Sequence, residues 1–399
     1  MKTTVVGLSC VGAEAVTNLF GFLSLPVEAA LATPSGRPAS SRGVTAITAS
    51  AAHIATSFPP KDPRPSGEQP QEKSVTQTQV RVLVTGAGGF IGHHLVTYLK
   101  ERGYWVRGVD LKYPEYVDVD ADQYEIRDLR RRDECIAATR NIDQVYALAA
   151  DMGGMGFISA NHALILHNNA LINLHTLDAA CLNGVSRYLY TSSACIYPEH
   201  LQADANVTPL KEDDAYPANP QDAYGWEKLL TEKLCEYYTS DYGLETRTVR
   251  FHNIYGPHGT YDGGREKAPA ALSRKVAAVS DGGSIEIWGD GEQTRSFCHV
   301  SDCVEGVYRL MQSECREPLN LGTEEIVTIN DLARKVVAVS GKSDITFKHV
   351  EGPMGVRGRN SDNSRLREVL GWEPQTTLDQ GLVPTYRWIE KQVQAGNTH

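Results

Sequence analysis

The run Val80-Arg81-Val82-Leu83-Val84-Thr85 breaks directly into Gly86-Ala87-Gly88-Gly89-Phe90-Ile91-Gly92, and this join constrains the fold more than any other feature of the chain. The β-branched run reads as a buried strand. Beyond the glycines, Ile91, Leu95 and Leu99 recur at helical spacing until Gly103 stops the pattern. In such a strand–turn–helix, one glycine makes the tight turn and a second lets the backbone approach a pyrophosphate. A third lets helix pack on strand, and the helix start presents its free N–H groups to the phosphates. The spacing Gly86, Gly89, Gly92 is G-x-x-G-x-x-G rather than the commoner G-x-G-x-x-G. A second strand candidate, 105–109, ends on Asp110, an acid that suits a ribose hydroxyl pair and repels the extra phosphate of NADP. The combination predicts NAD binding, with Gly86, Gly89, Phe90, Ile91, Gly92 and Asp110 as candidate contacts.

Further strand candidates at 144–148, 188–191 and 246–251 are separated by helical stretches around 164–183 and 222–240. Alternation of this kind predicts an α/β fold, a doubly wound parallel sheet of Rossmann type with both faces covered. The expected sheet domain runs over 79–256 and regains 289–328. A smaller, discontinuous C-terminal substrate-binding domain takes 257–288 and 329–395, with the active site in the crevice between them. Residues 1–78 are rich in Ala, Ser, Thr and Pro and lack periodic apolar surface, so they read as a disordered extension. Two features leave an address open: the short apolar run Val5-Val6-Gly7-Leu8 after Lys2, and the scarcity of acids beside scattered Arg.

The balance of 39 Lys+Arg against 49 Asp+Glu, a net charge of −10, argues against a nucleic-acid binder. The longest apolar stretch near the N-terminus is broken by Glu14 and Asn18, which argues against a membrane-spanning helix. Eight Cys include no C-x-x-C pair, which argues against a zinc ribbon and fits a reducing, cytoplasmic compartment. His162 and His167 lie five apart and so do not share a helical face; no metal ligands are expected there. The sequon Asn206-Val207-Thr208 is expected to be silent in such a compartment.

A second constellation joins Thr191-Ser192-Ser193, at a strand end, to Tyr224-Gly225-Trp226-Glu227-Lys228. Tyrosine and lysine four apart share a helix face. A phenol titrating near pH 10 is a poor base. A neighbouring ammonium and an oxidised nicotinamide stabilise its phenolate. Ser193, Tyr224 and Lys228 therefore form a candidate trio acting on a sugar hydroxyl during hydride transfer.

Taken together these residues resemble the extended short-chain dehydrogenase/reductase family. Longer strings narrow the resemblance to the branch, found in plants and algae, that epimerises GDP-mannose. They include Ala149-Ala150-Asp151-Met152-Gly153-Gly154-Met155-Gly156, Ser193-Ala194-Cys195-Ile196-Tyr197-Pro198-Glu199, Gly264-Arg265-Glu266-Lys267-Ala268-Pro269-Ala270 and Trp288-Gly289-Asp290-Gly291-Glu292-Gln293-Thr294-Arg295. The resemblance covers about 80–393. It implies conversion of GDP-mannose to GDP-L-galactose, with GDP-L-gulose as a by-product, through a 4-keto intermediate on the ascorbate route. Cys195 is implied as the base that strips the protons at carbons 3 and 5, and Lys267 as the acid that returns them. Gly153, Ser193, Ala194, Asn253, Glu266, Ala268 and Lys275 are implied on the sugar and phosphate side. Gln293, Thr294, Arg295 and Arg359 are implied as the nucleotide and diphosphate clamp, and Asp128 on the adenine side of NAD. Dehydratase relatives carry Asp and Glu where Ala194 and Cys195 stand, which weighs against loss of water. The remaining rivals are another nucleotide-sugar 4-epimerase or dehydratase, and a catalytically idle NAD sensor. A homodimer is the family expectation.

Overall fold

Val82, Leu83 and Val84 of β1 (Arg81–Thr85) are fully buried, which places this strand inside a sheet covered on both faces. The structure, a computed structural model, describes residues 79–353 and 355–397; the extension expected over 1–78 lies outside them. After β1 come β2 (Trp105–Asp110), β3 (Gln123–Ile126), β4 (Gln144–Ala147), β5 (Arg187–Ser193) and β6 (Glu245–Phe251). They are followed, among the described residues, by β7 (Asn253–Tyr255), β8 (Ser284–Trp288), β9 (Thr294–His299), β10 (Leu319–Leu321), β11 (Ile326–Thr328), β12 (Thr346–Val350) and β13 (Gly358–Arg359).

The large sheet has the order β10-β6-β5-β4-β1-β2-β3, every neighbouring pair parallel. The chain winds outward from β1 to β3, then returns to lay β4 against the other side of β1. The strand order reverses there, and the crevice at the carboxyl ends of β1 and β4 is where such sheets bind ligands.

Among the described residues ten α-helices accompany the strands: α1 (Phe90–Glu101), α2 (Arg132–Ala138), α3 (Met155–Ala160), α4 (His162–Leu182), α5 (Ala223–Tyr242), α6 (Ala268–Ala278), α7 (Val300–Gln312), α8 (Ile329–Ser340), α9 (Ser364–Leu370) and α10 (Leu378–Gln394). One face of the sheet packs on Leu95 and Leu99 of α1, Val304 and Val307 of α7 and Leu366 of α9. The other packs on Cys135 of α2, Leu177 of α4 and Cys235 of α5. The fold is therefore doubly wound. Strand β5 runs two residues beyond its expected end at 191 and carries Ser192 and Ser193 as its last paired residues.

A separate apolar cluster joins Leu272 and Val276 of α6, Ile285 and Ile287 of β8, Leu332 and Val336 of α8, and Leu382 and Tyr386 of α10. Here β8 pairs with β12, while β7, β11 and β13 all pair with β9. No helix among the described residues is long and apolar enough to cross a membrane.

Candidate active site

Between β1 and α1 the chain is packed too closely for side chains. A Cβ on Gly92 would lie 2.0 Å from the Gly86 carbonyl oxygen, and one on Gly88 would lie 2.3 Å from that of Lys112. Gly86 itself turns with φ +70°. Phe90 and Ile91 open α1, whose N-cap, Gly89, contributes no side-chain cap to the first-turn N–H groups. Asp110 ends β2 against this loop: its Oδ2 accepts from the Gly88 N–H at 3.0 Å and its Oδ1 from the Leu111 N–H at 2.6 Å. A bare backbone cradle at a helix start, with a carboxylate at the next strand end, fits a dinucleotide. Asp128 is forked to Arg130 at 2.8 and 2.7 Å, and that pairing holds its carboxyl below the usual range.

Strand β5 delivers Thr191, Ser192 and Ser193, and α5 crosses beside it. Asp222 starts α5 by accepting from the Gly225 N–H at 2.9 Å, which sets Tyr224 in the first turn. Ser193 hydrogen-bonds Tyr224, partly opposing the burial that drives the phenol pKa well up. Lys228, one turn on, is 2% exposed. Its Nζ donates to the Thr191 carbonyl at 3.0 Å and sits 5.4 Å from the centre of the Tyr224 ring. Burial lowers the Lys228 pKa, and Glu227, Cys195 and Glu232 partly restore it.

After Ser193 the backbone tightens into a 3-10 turn, Ala194–Ile196, which Ser193 caps by accepting from the Cys195 N–H at 3.2 Å. Ala194 is buried. Nη1 of Arg359, on β13, donates to the Cys195 sulfur at 3.3 Å, while its Nε donates to Gln202. Lys267 is the N-cap residue of α6, followed by Ala268 and by Pro269 in the first turn. Burial lowers the Lys267 pKa, Cys195 raises it, and Arg359 lowers it further. Arg295 is pushed down to about 9 by burial and by Arg359, with Cys195 opposing. Its guanidinium donates to the carbonyls of Thr294 and Val356, both at 2.7 Å. The site thus gathers one thiol among cationic side chains, directly beside the Ser193–Tyr224–Lys228 group.

The remaining candidates sit around this centre with partners of their own. Asn253 donates to the Ser296 carbonyl at 2.9 Å, bridging β7 to β9. Lys275, two turns along α6, donates to the Glu286 carbonyl at 2.7 Å and lies over Trp288. Gln293 is buried and donates to the Trp288 carbonyl at 3.2 Å, and Thr294 donates to the Ala205 carbonyl. Glu266 pairs with Arg274 at 3.2 Å. Gly153 lies against Phe157, on which the Arg265 guanidinium stacks at 3.8 Å. His162 and His167 join no metal-ligand cluster among the described residues.

Three supports escaped the sequence reading. Gly225 lets α5 press on the Cys195 turn, since a Cβ there would lie 2.2 Å from the Cys195 carbonyl oxygen. The Tyr-Gly pair at the helix start was the available signal. Arg250 and Glu232 form a buried ion pair at 2.8 Å, and Arg250 also donates to the Tyr197 hydroxyl at 3.2 Å, bracing the same turn from below. Gly154 donates to the Arg265 carbonyl at 3.0 Å, fixing the Lys267 loop to the loop after β4. No local motif announces these long-range pairs.

Residues 82–322 match the NAD dependent epimerase/dehydratase family. GDP-mannose 3,5-epimerase 1 of Oryza sativa subsp. indica is 49% identical over 333 residues, 83% of this chain and 87% of that protein. GDP-mannose 3,5-epimerase of Arabidopsis thaliana is 48% identical over 329 residues, 82% of this chain and 86% of that protein. The structure of UDP-glucose 4-epimerase from Thermotoga maritima with UDP-glucose superposes with a TM-score of 0.71 at 26% identity, covering 79% of this chain and 100% of that one. MoeE5 in complex with UDP-glucose and NAD gives 0.66 at 30% identity, covering 78% and 99%.

Proposed function

The chain belongs to the NAD dependent epimerase/dehydratase family, an enzyme family of nucleotide-sugar chemistry, and from that premise we propose that it inverts carbons 3 and 5 of GDP-mannose to give GDP-L-galactose. The cofactor is NAD. The backbone of Gly86–Gly92 would hold its pyrophosphate and Asp110 its ribose. When bound, it supplies a reversible hydride acceptor for carbon 4 of the sugar.

Within that reading Tyr224 removes the carbon 4 hydroxyl proton, with the Ser193 hydroxyl as its hydrogen-bond partner and the Lys228 ammonium favouring its phenolate. A carbonyl at carbon 4 acidifies the protons on carbons 3 and 5. Cys195 takes each proton, its sulfur held by the neighbouring Arg359 guanidinium at 3.3 Å. Lys267 returns a proton to the opposite ring face. Burial has already lowered its pKa, which makes it a better donor near neutral pH. Carbon 4 then regains its hydride and its oxygen the proton held by Tyr224, so no net redox change occurs.

The observation that carries the reading is a thiol, Cys195, held by Arg359 at 3.3 Å on the turn that Ser193 caps, near enough to Lys267 to raise its pKa. A lone redox site for carbon 4 has no use for the second pair. The test is incubation of the purified protein with NAD and GDP-mannose, followed by resolution of the product sugars. GDP-L-galactose, with or without GDP-L-gulose, is expected. Inversion at carbon 4 alone, release of a dehydrated sugar, or no turnover would each overturn the proposal.

A further inference from the structure

At the start of α1, just past the glycine turn, one ring nitrogen from each of His93, His94 and His258 lies within 4.8 Å of the other two. Backbone carbonyls fix two of these rings. His93 Nδ1 faces the Gly89 carbonyl at 3.0 Å, and His94 Nε2 faces the Pro257 carbonyl at 3.1 Å. A carbonyl oxygen only accepts, so those nitrogens carry the protons and the opposite nitrogens keep lone pairs. This is the arrangement metal-ligating histidines show, one nitrogen donating to a carbonyl and the other turned to the ion. His93 Nε2 is buried and has no hydrogen-bond partner, so its lone pair is stripped of water with nothing in exchange.

The third ring is brought in by a loop that is itself clamped. Gly256 and Gly259 press on α7 and α1: a Cβ at Gly256 would lie 2.6 Å from Val300, and one at Gly259 3.1 Å from Phe90. His258 takes a left-handed backbone, φ +62°, uncommon outside glycine. Its ring stacks on His94 with centroids 5.8 Å apart and meets the edge of Trp388 at 5.3 Å.

We propose that His93, His94 and His258 bind a late first-row divalent cation of the Zn2+ type. Three neutral imidazoles suit Zn2+, Ni2+ or Cu2+ and not the oxygen-seeking Mg2+ or Ca2+. A tetrahedral ion takes three protein nitrogens and leaves one position for water. The cation ties α1, the helix that carries the nucleotide loop at its start, to the 256–260 loop after β7. This proposal does not depend on the substrate assigned above.

The experiment titrates the intact, chelator-stripped protein with Zn2+ against a chromophoric chelator, and follows the melting temperature in parallel. Co2+ serves as a spectroscopic probe, because the free cysteines bind cations too and thiolate ligation gives an intense near-ultraviolet band that nitrogen ligation lacks. A single Zn2+ per chain, a raised melting temperature and a Co2+ spectrum without the thiolate band are expected. His258→Asn should weaken binding roughly tenfold or more while preserving the loop, since asparagine tolerates the left-handed backbone. His93→Gln should do the same from the helix side. Absence of stoichiometric Zn2+ binding, binding undiminished in both variants, or a thiolate-dominated Co2+ spectrum would overturn the site.

Discussion

Arg359 and Cys195 are 164 residues apart in sequence, yet the guanidinium donates to the sulfur at 3.3 Å. Cysteines beside a cationic side chain are the reactive ones. Arg359→Ala should slow alkylation of Cys195 by iodoacetamide at neutral pH by about tenfold, read by mass spectrometry of the Cys195 peptide so that the other cysteines do not interfere. An unchanged alkylation rate would confine Arg359 to holding the diphosphate.

On the proposed reading cofactor choice rests on Asp110, whose carboxylate accepts from the Gly88 N–H at 3.0 Å and the Leu111 N–H at 2.6 Å. An acid at a ribose site would repel the extra phosphate of NADP. Binding titrations should favour NAD over NADP by about tenfold or more, and Asp110→Ser should narrow that ratio mainly by weakening NAD. Equal affinities in the native protein would remove Asp110 from the ribose site.

His252 sets an acid limit on stability. Its Nε2 meets Asn320 Oδ1 at 3.3 Å, its Nδ1 is buried without a partner, and the ring is 2% exposed. Burial, then Arg359, lowers its pKa from 6.5 to about 3. The unfolded chain therefore binds the proton more readily than the folded one between those values. Stability is full above pH 6.5 and falls as the pH drops towards about 3, by an amount on the order of 4 kcal/mol. In urea titrations from pH 7 to 4, His252→Gln should lose distinctly less stability than the native protein. Parallel losses in the two would contradict this assignment.

The five central strands of the large sheet were readable because they are buried on both faces. Runs such as Val82-Leu83-Val84 need no partner to announce themselves, and the glycines of the first turn mark where β1 gives way to α1. Tyr224 and Lys228 were readable for a different reason, since a spacing of four on a helix is a local property. The approach of β13 to β9 is not local: it is what brings Arg359 alongside Arg295, and Arg359 reaches the Cys195 turn from there. The Arg250–Glu232 pair under Tyr197 is equally silent in sequence, because a buried ion pair looks like two surface charges until the fold closes over it. Asp128 and Lys275, which the resemblance implied as ligand contacts, also have partners within the chain, Arg130 and the Glu286 carbonyl.

The central claim is a division of labour, Tyr224 for carbon 4 and Cys195 for carbons 3 and 5. It is tested most directly by incubating native, Tyr224→Phe and Cys195→Ala proteins with GDP-mannose and NAD in heavy water. Reduced-nicotinamide absorbance and deuterium in the recovered sugar nucleotide are followed together. Tyr224→Phe should lose both signals, with turnover down roughly 10²–10⁴-fold. Cys195→Ala should keep the transient absorbance while losing deuterium uptake at carbons 3 and 5. Undiminished deuterium at both carbons in Cys195→Ala would contradict the claim.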